Sequence, residues 1–183
     1  MAVTEILKRS EAVANSLAAL MRHDVETAVD LSSSYFGGAG SLYERETSSV
    51  VRFILDHEWS PDPAIPPEVL APLRVVAAAM ELWGQCEMSA FAEVSGVWAY
   101  AHDAETVTSL LYAAGVEQHR LQHLDALGVE RVEIRSSELR PAPGCRATLG
   151  QSFPTRQAPL LPHDDPRCQC SYQAARPVVS AAM

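Results

Sequence analysis

The chain has no long apolar run. Arg22, Glu81 and Glu87 interrupt its most hydrophobic segments, whereas a membrane span needs roughly 20 uninterrupted apolar residues, so no spanning helix is expected. The opening residues, Met-Ala-Val-Thr-Glu-Ile-Leu-Lys-Arg, have neither the basic start nor the apolar stretch of a secretory leader, which makes a cytoplasmic location the expectation. Basic side chains are scarce over residues 1–130, with 7 Lys/Arg against 19 Asp/Glu; residues 131–183 hold 7 against 4. An acidic body repels a phosphate backbone, so nucleic-acid binding by the main part of the chain is disfavoured. Cysteine is sparse as well, at four residues in 183. In a reducing compartment, cysteines that cluster read as metal ligands before disulfides.

What is present is a globular composition. The 48% hydrophobic and 20% charged content of a chain this long can bury a real core, as one domain or one domain with a small appendage. Ile6, Val13, Leu17, Leu20, Met21, Ala28 and Leu31 recur near helical spacing and predict one amphipathic helix over 4–34, with Thr4 as its N-cap. Gly37-Gly38-Ala39-Gly40 ends it, and without a lysine or a preceding strand this is a turn, not a phosphate cradle. A second helix is predicted over 42–59. Four prolines between Ser60 and Pro67 predict an extended linker, and Pro67 opens a helix through Trp83 that is broken or bent around Gly84. Helical pattern returns over 89–100 and again from Asp103 to Ala126, stopping at Gly128. Beyond that glycine, Val132 and Ile134 alternate with charged residues, which is strand periodicity.

These elements define a mainly α fold: a bundle-like helical body over 1–128, a small β-hairpin and loop module over 129–172, and a frayed tail over 173–183. The module cannot build a large core from its few apolar residues, yet it holds three of the four cysteines. Cys168-Gln169-Cys170 is one close pair of soft donors, and Cys145 with His163 completes a candidate four-ligand zinc site. Taken on spacing alone, the same residues also read as ordinary loop cysteines beside a solvated histidine.

The stretch Leu124–Tyr172 resembles the C-terminal module of phage Mu F-like minor head proteins, the head-morphogenesis family, and of small bacterial proteins that carry it. Leu127-Gly128-Val129 and Val132 match its entry strand. Cys145-Arg146-Ala147, Gly150, Phe153-Pro154, Ala158-Pro159, Leu161-Pro162-His163 and Cys168-Gln169-Cys170 follow in the family's order. Ala142 stands where members carry a first cysteine, and the spacing from His163 to Cys168 is longer than in phage members. The resemblance covers about a quarter of the chain and implies a non-catalytic, protein-interacting role with a zinc-stabilised module. Trp59 or Trp98 would be candidate anchors for a protein partner, Trp59 foremost because it borders the proline stretch; the alternative reading places both in the core.

Two other classes compete. An enzyme would use Cys86 with one of His57, His102, His119 or His123, or would use the zinc catalytically with Asp164 or Asp165 beside it. His119-Arg-Leu-Gln-His123 lacks the glutamate of a metalloprotease helix, and Glu44, Glu46, Asp56 and Glu58 fit a surface face better than a carboxylate metal site. A nucleic-acid knuckle would need Arg135, Arg140, Arg146, Arg156 and Arg167 on one face.

Overall fold

A computed structural model describes residues 3–36, 41–84, 97–138, 141, 143–162 and 168–175, with side chains given from Lys8 in the first helix and from Glu46 in the third. The expected glycine turn at 37–40, most of the helical pattern at 89–100, Cys86, His163 and the last residues of the tail lie outside the described residues, as does the side chain of Glu44. The chain divides into two compact units, Met1–Val116 and Glu117–Met183. The boundary falls within a helix, upstream of the pattern change at Gly128.

In the first unit, α1 (Val3–Leu20), α2 (Val25–Phe36), α3 (Ser41–Asp56) and α4 (Pro67–Trp83) pack α1 on α2, α2 on α3, α3 on α4 and α4 back on α1. The expected single helix over 4–34 is therefore two. His23 takes the left-handed conformation at φ 58°. Its amide donates to Leu20 O at 2.9 Å and the Asp24 amide to Ala19 O at 3.0 Å, the bond pair that closes a helix at a left-handed residue. Asp24 then caps α2 by accepting from the Thr27 amide at 3.2 Å; hydrogen bonding from the Thr27 side chain first, and then from this amide, lowers its carboxyl pKa. Apolar periodicity carried across the break because both helices bury the same kind of face.

Residues 60–67 are a packed turn rather than an extended linker. Pro61, Asp62 and Ile65 are buried. The Asp62 carboxylate accepts from the Ala64 amide at 2.9 Å and the Ala101 amide at 3.0 Å, and these bonds hold it below the usual carboxylate range. Pro67 occupies the first turn of α4 and Gly84, at φ 91°, follows its last residue, as the sequence indicated. Polar side chains tie the layers within the core. Trp83 Nε1 donates to Ser16 Oγ at 3.0 Å, and Ser32 Oγ donates to Leu82 O at 2.7 Å.

The next described helix, α5 (Ala104–Ala126), is capped by Asp103, whose carboxylate accepts from the Thr106 amide at 2.7 Å. Val107 and Leu111 join the core of the first unit. Gly115 allows α5 to approach α3 closely, because an added Cβ would lie 2.6 Å from Ile54 Cγ1 and 3.2 Å from Val50 Cγ1. Gly115→Ala gains about 1 kcal/mol of helix propensity but overpacks a buried contact at a cost of roughly 1–3 kcal/mol. A lower urea midpoint is the expected result, partly restored by adding Ile54→Val; an unchanged midpoint would show that α3 yields freely.

The second unit begins in the C-terminal half of α5. Gly128, at φ 75°, turns the chain into β1 (Arg131–Ser136). A short helical turn, α6 (Pro143–Arg146), leads to β2 (Ser152–Pro154), and β3 (Cys170–Ala174) closes the sheet. The expected hairpin is thus a three-stranded antiparallel sheet in the order β2-β1-β3. Its small core is Leu121, Val132, Ile134, Cys145, Leu161, Cys170 and Tyr172. Gln173 and Ala174, expected to fray, belong to β3 and pair with Glu133 and Val132.

Candidate metal centre

Each cysteine reaches the site for a local reason. Cys145 sits in α6, with its carbonyl accepting from the Thr148 and Leu149 amides at 3.2 Å; this turn draws the side chain inward, and Cys145 is 1% exposed. Cys170 opens β3 opposite Ser136. Strand geometry sends alternate side chains to one face, so Cys170 points inward with Tyr172, at 5% and 2% exposure. Cys168 lies two residues upstream, half-buried.

The three sulfur atoms all lie within 4.8 Å of one another, and no disulfide joins them. Thiolates around a single zinc at about 2.3 Å stand about 3.8 Å apart in a tetrahedron, so this spacing fits one ion. Burial first, and then the neighbouring Cys168 and Cys145 sulfurs, push the Cys170 thiol far above its ordinary value. Adjacent buried thiolates repel one another, and a cation reverses that balance. The three cysteines are a set able to coordinate a metal ion, consistent with zinc. His163, the expected fourth donor, lies outside the described residues, so the structure gathers three of the four sequence-derived ligands.

The supporting residues are less conspicuous. Glu117 is 8% exposed; its Oε2 accepts from the Tyr172 amide at 3.0 Å and its Oε1 from Arg120 at 2.8 Å. Burial raises its pKa despite both partners. The Tyr172 hydroxyl donates to Pro159 O. No sequence signal marked Glu117, because its partner is a main-chain amide distant in the chain.

The competing constellations gather less. Among the described residues the cysteines are the one group of three or more donors placed to hold a metal; His119 with His123, and Glu46, Asp56 and Glu58, recruit no such group. Of the basic residues proposed for a nucleic-acid face, Arg156 pairs with Asp125 at 3.0 Å and Arg135 with Glu133 at 2.8 Å. Both charges are thereby locally balanced. Arg140 and Arg167 lie outside the described residues. Trp59, the favoured anchor, is half-buried against the helical core, while Trp98 is 68% exposed; proximity to prolines misled because the turn is packed. No described helix is long and apolar enough to cross a membrane.

The fold and the site together define a mainly helical protein with a small C-terminal sheet and a three-cysteine cluster of metal-binding character. No family model matches the chain, and no curated protein or solved structure matches it.

Proposed function

We propose that the chain is a non-catalytic structural or protein-interaction protein whose C-terminal unit is held together by one zinc ion, bound by Cys145, Cys168 and Cys170 with His163 as fourth donor. The observation that carries this reading is the convergence of three sulfurs from two separate segments to within 4.8 Å. The role follows from the physics of a small unit. Its apolar cluster is modest, and metal-binding free energy substitutes for the missing core. Cys145 and Cys170 are almost wholly buried, which suits a closed structural site better than a catalytic one with an open position. The ordered likeness of residues 124–172 to the phage Mu F-like module supports the same reading, with a role similar to that of head-morphogenesis proteins. In that role the helical unit presents the partner surface, with Trp98 as the exposed aromatic anchor, in a reducing, cytoplasmic or virion-associated setting that keeps the thiols available.

The test is metal content. The chain purified without a metal-binding tag is expected to carry about one zinc by elemental mass spectrometry, and Cys168→Ser to lose it. Metal absent from both proteins would end the zinc assignment.

A further inference from the structure

We propose that Glu117 and Tyr172 are the positioning residues of the metal centre, fixing the register of β3 so that Cys168 and Cys170 meet Cys145. This rests on the zinc reading and deepens it by naming what holds the ligands in place.

The argument starts from how weakly β3 specifies itself. Of its five residues only Cys170 and Tyr172 are buried, and one of these is a ligand. Strand register is set by which side chains face the core, and a slip of one residue sends every side chain to the opposite face. In β3 such a slip turns Cys170 away from Cys145. Apolar patterning resting on a single tyrosine is a poor safeguard, so the placement of β3 needs further pins, and the structure supplies two at Tyr172.

The first pin is on the main chain. Tyr172 stands opposite Ile134. The Ala175 amide donates to Arg131 O at 3.0 Å, which makes residues 131 and 175 a hydrogen-bonded pair. Such pairs alternate along an antiparallel ladder, so the Tyr172 amide points away from β1, to the outer edge of the sheet. That edge amide is buried, and Glu117 of α5 satisfies it at 3.0 Å, while Arg120 holds the other carboxylate oxygen. Whichever residue of β3 stands opposite Ile134 turns its amide outward there, so this bond anchors the outer edge of β3 to α5, and the Tyr172 side chain is what ties that anchored strand to one register.

The second pin is on the side chain. The Tyr172 hydroxyl donates to Pro159 O on the segment that passes through buried Leu161 into the same small core. Tyr172 is thus held at both ends, two residues from Cys170 on the same face of the strand. Partners that orient metal ligands typically change metal affinity by about 10–100-fold when removed, and a residue that sets the register of a ligand strand belongs in that range.

The test is zinc affinity, measured by chelator competition in the full chain, with Co(II) substitution to read ligand geometry from its visible bands. Glu117→Ala is expected to weaken zinc binding by about 10–100-fold and to alter the Co(II) spectrum. Glu117→Gln, which keeps an acceptor oxygen for the amide, should restore both. Tyr172→Phe, which keeps the ring and loses the Pro159 bond, should weaken binding by about tenfold. Wild-type affinity and a wild-type Co(II) spectrum in both Glu117→Ala and Tyr172→Phe would overturn the proposal even if their melting temperatures fall, because both residues would then serve stability alone. Should Glu117→Ala fail to fold, Tyr172→Phe decides. A wild-type chain that takes up neither zinc nor Co(II) would instead remove the zinc reading itself, and this inference with it.

Discussion

In EDTA, the amides of Arg131–Ser136 and Cys170–Ala174 are expected to exchange with solvent on the order of a hundredfold faster than in the zinc-loaded protein, while those of Pro67–Trp83 keep their protection. The asymmetry follows from where each unit finds its stability. The helical unit buries a broad set of side chains from α1 to α5, with Leu20, Ile54, Leu73 and Val107 almost wholly enclosed. Among the described residues the second unit has seven buried residues in its core, and two of them, Cys145 and Cys170, belong to the candidate metal cluster. Units of this size rarely draw more than about 3–5 kcal/mol from a single core, whereas a ligand present at 100 times its Kd contributes about 2.7 kcal/mol. Loss of the metal therefore removes a large share of what keeps the sheet closed. Hydrogen exchange read by mass spectrometry resolves the two units peptide by peptide. Unchanged protection of Cys170–Ala174 after chelation would show that packing alone holds the module and that the cysteines do not carry its stability.

Arg74→Ala should be the most damaging single change in the helical unit, at about 3 kcal/mol and roughly 10 °C in melting temperature. Arg74 is 9% exposed. Its NH1 donates to Ile54 O at 2.7 Å and its NH2 to Trp59 O. Helix α3 ends at Asp56, so these carbonyls belong to its last turn and to the chain just beyond, where acceptors have no intrahelical donor. A guanidinium from α4 fills that role, and its positive charge complements the negative end of the α3 dipole. Burial lowers the Arg74 pKa, with Asp56 opposing, but a guanidinium stays charged at any ordinary pH. Arg74→Met separates the causes, since it keeps much of the volume and removes the donors. It should be nearly as destabilising as alanine in a urea melt. Full recovery by methionine would mean that packing, not carbonyl satisfaction, is what Arg74 contributes.

What could be read from the chain itself followed the locality of each signal. Pro67 and Gly84 bracket α4, and Asp103 and Gly128 bracket α5, because caps and breakers act within a few residues of where they stand. The corner at Arg22-His23-Asp24 stayed hidden because a histidine, not the usual glycine, takes the left-handed position. The third strand was obscured by its own chemistry: Cys170 and Tyr172 alternate as a strand should, but the cysteines there announced a ligand pair first. For the site, Cys145, Cys168 and Cys170 were recognisable because donor chemistry resides in residue identity. Glu117 and Arg74 were not, since each satisfies main-chain groups on another element, and no spacing rule marks a carboxylate or guanidinium for a distant backbone partner.

The sheet order β2-β1-β3 also dictates a sequence of events during synthesis. The central strand leaves the ribosome first and waits with both edges open, gaining β2 and only later β3, which brings Cys170 with it. Until then the Val132–Ile134 segment is a bare template for pairing with any extended chain. Anything that delays the closing of β3 lengthens that interval, so newly made chains are expected to clump before finished ones unfold.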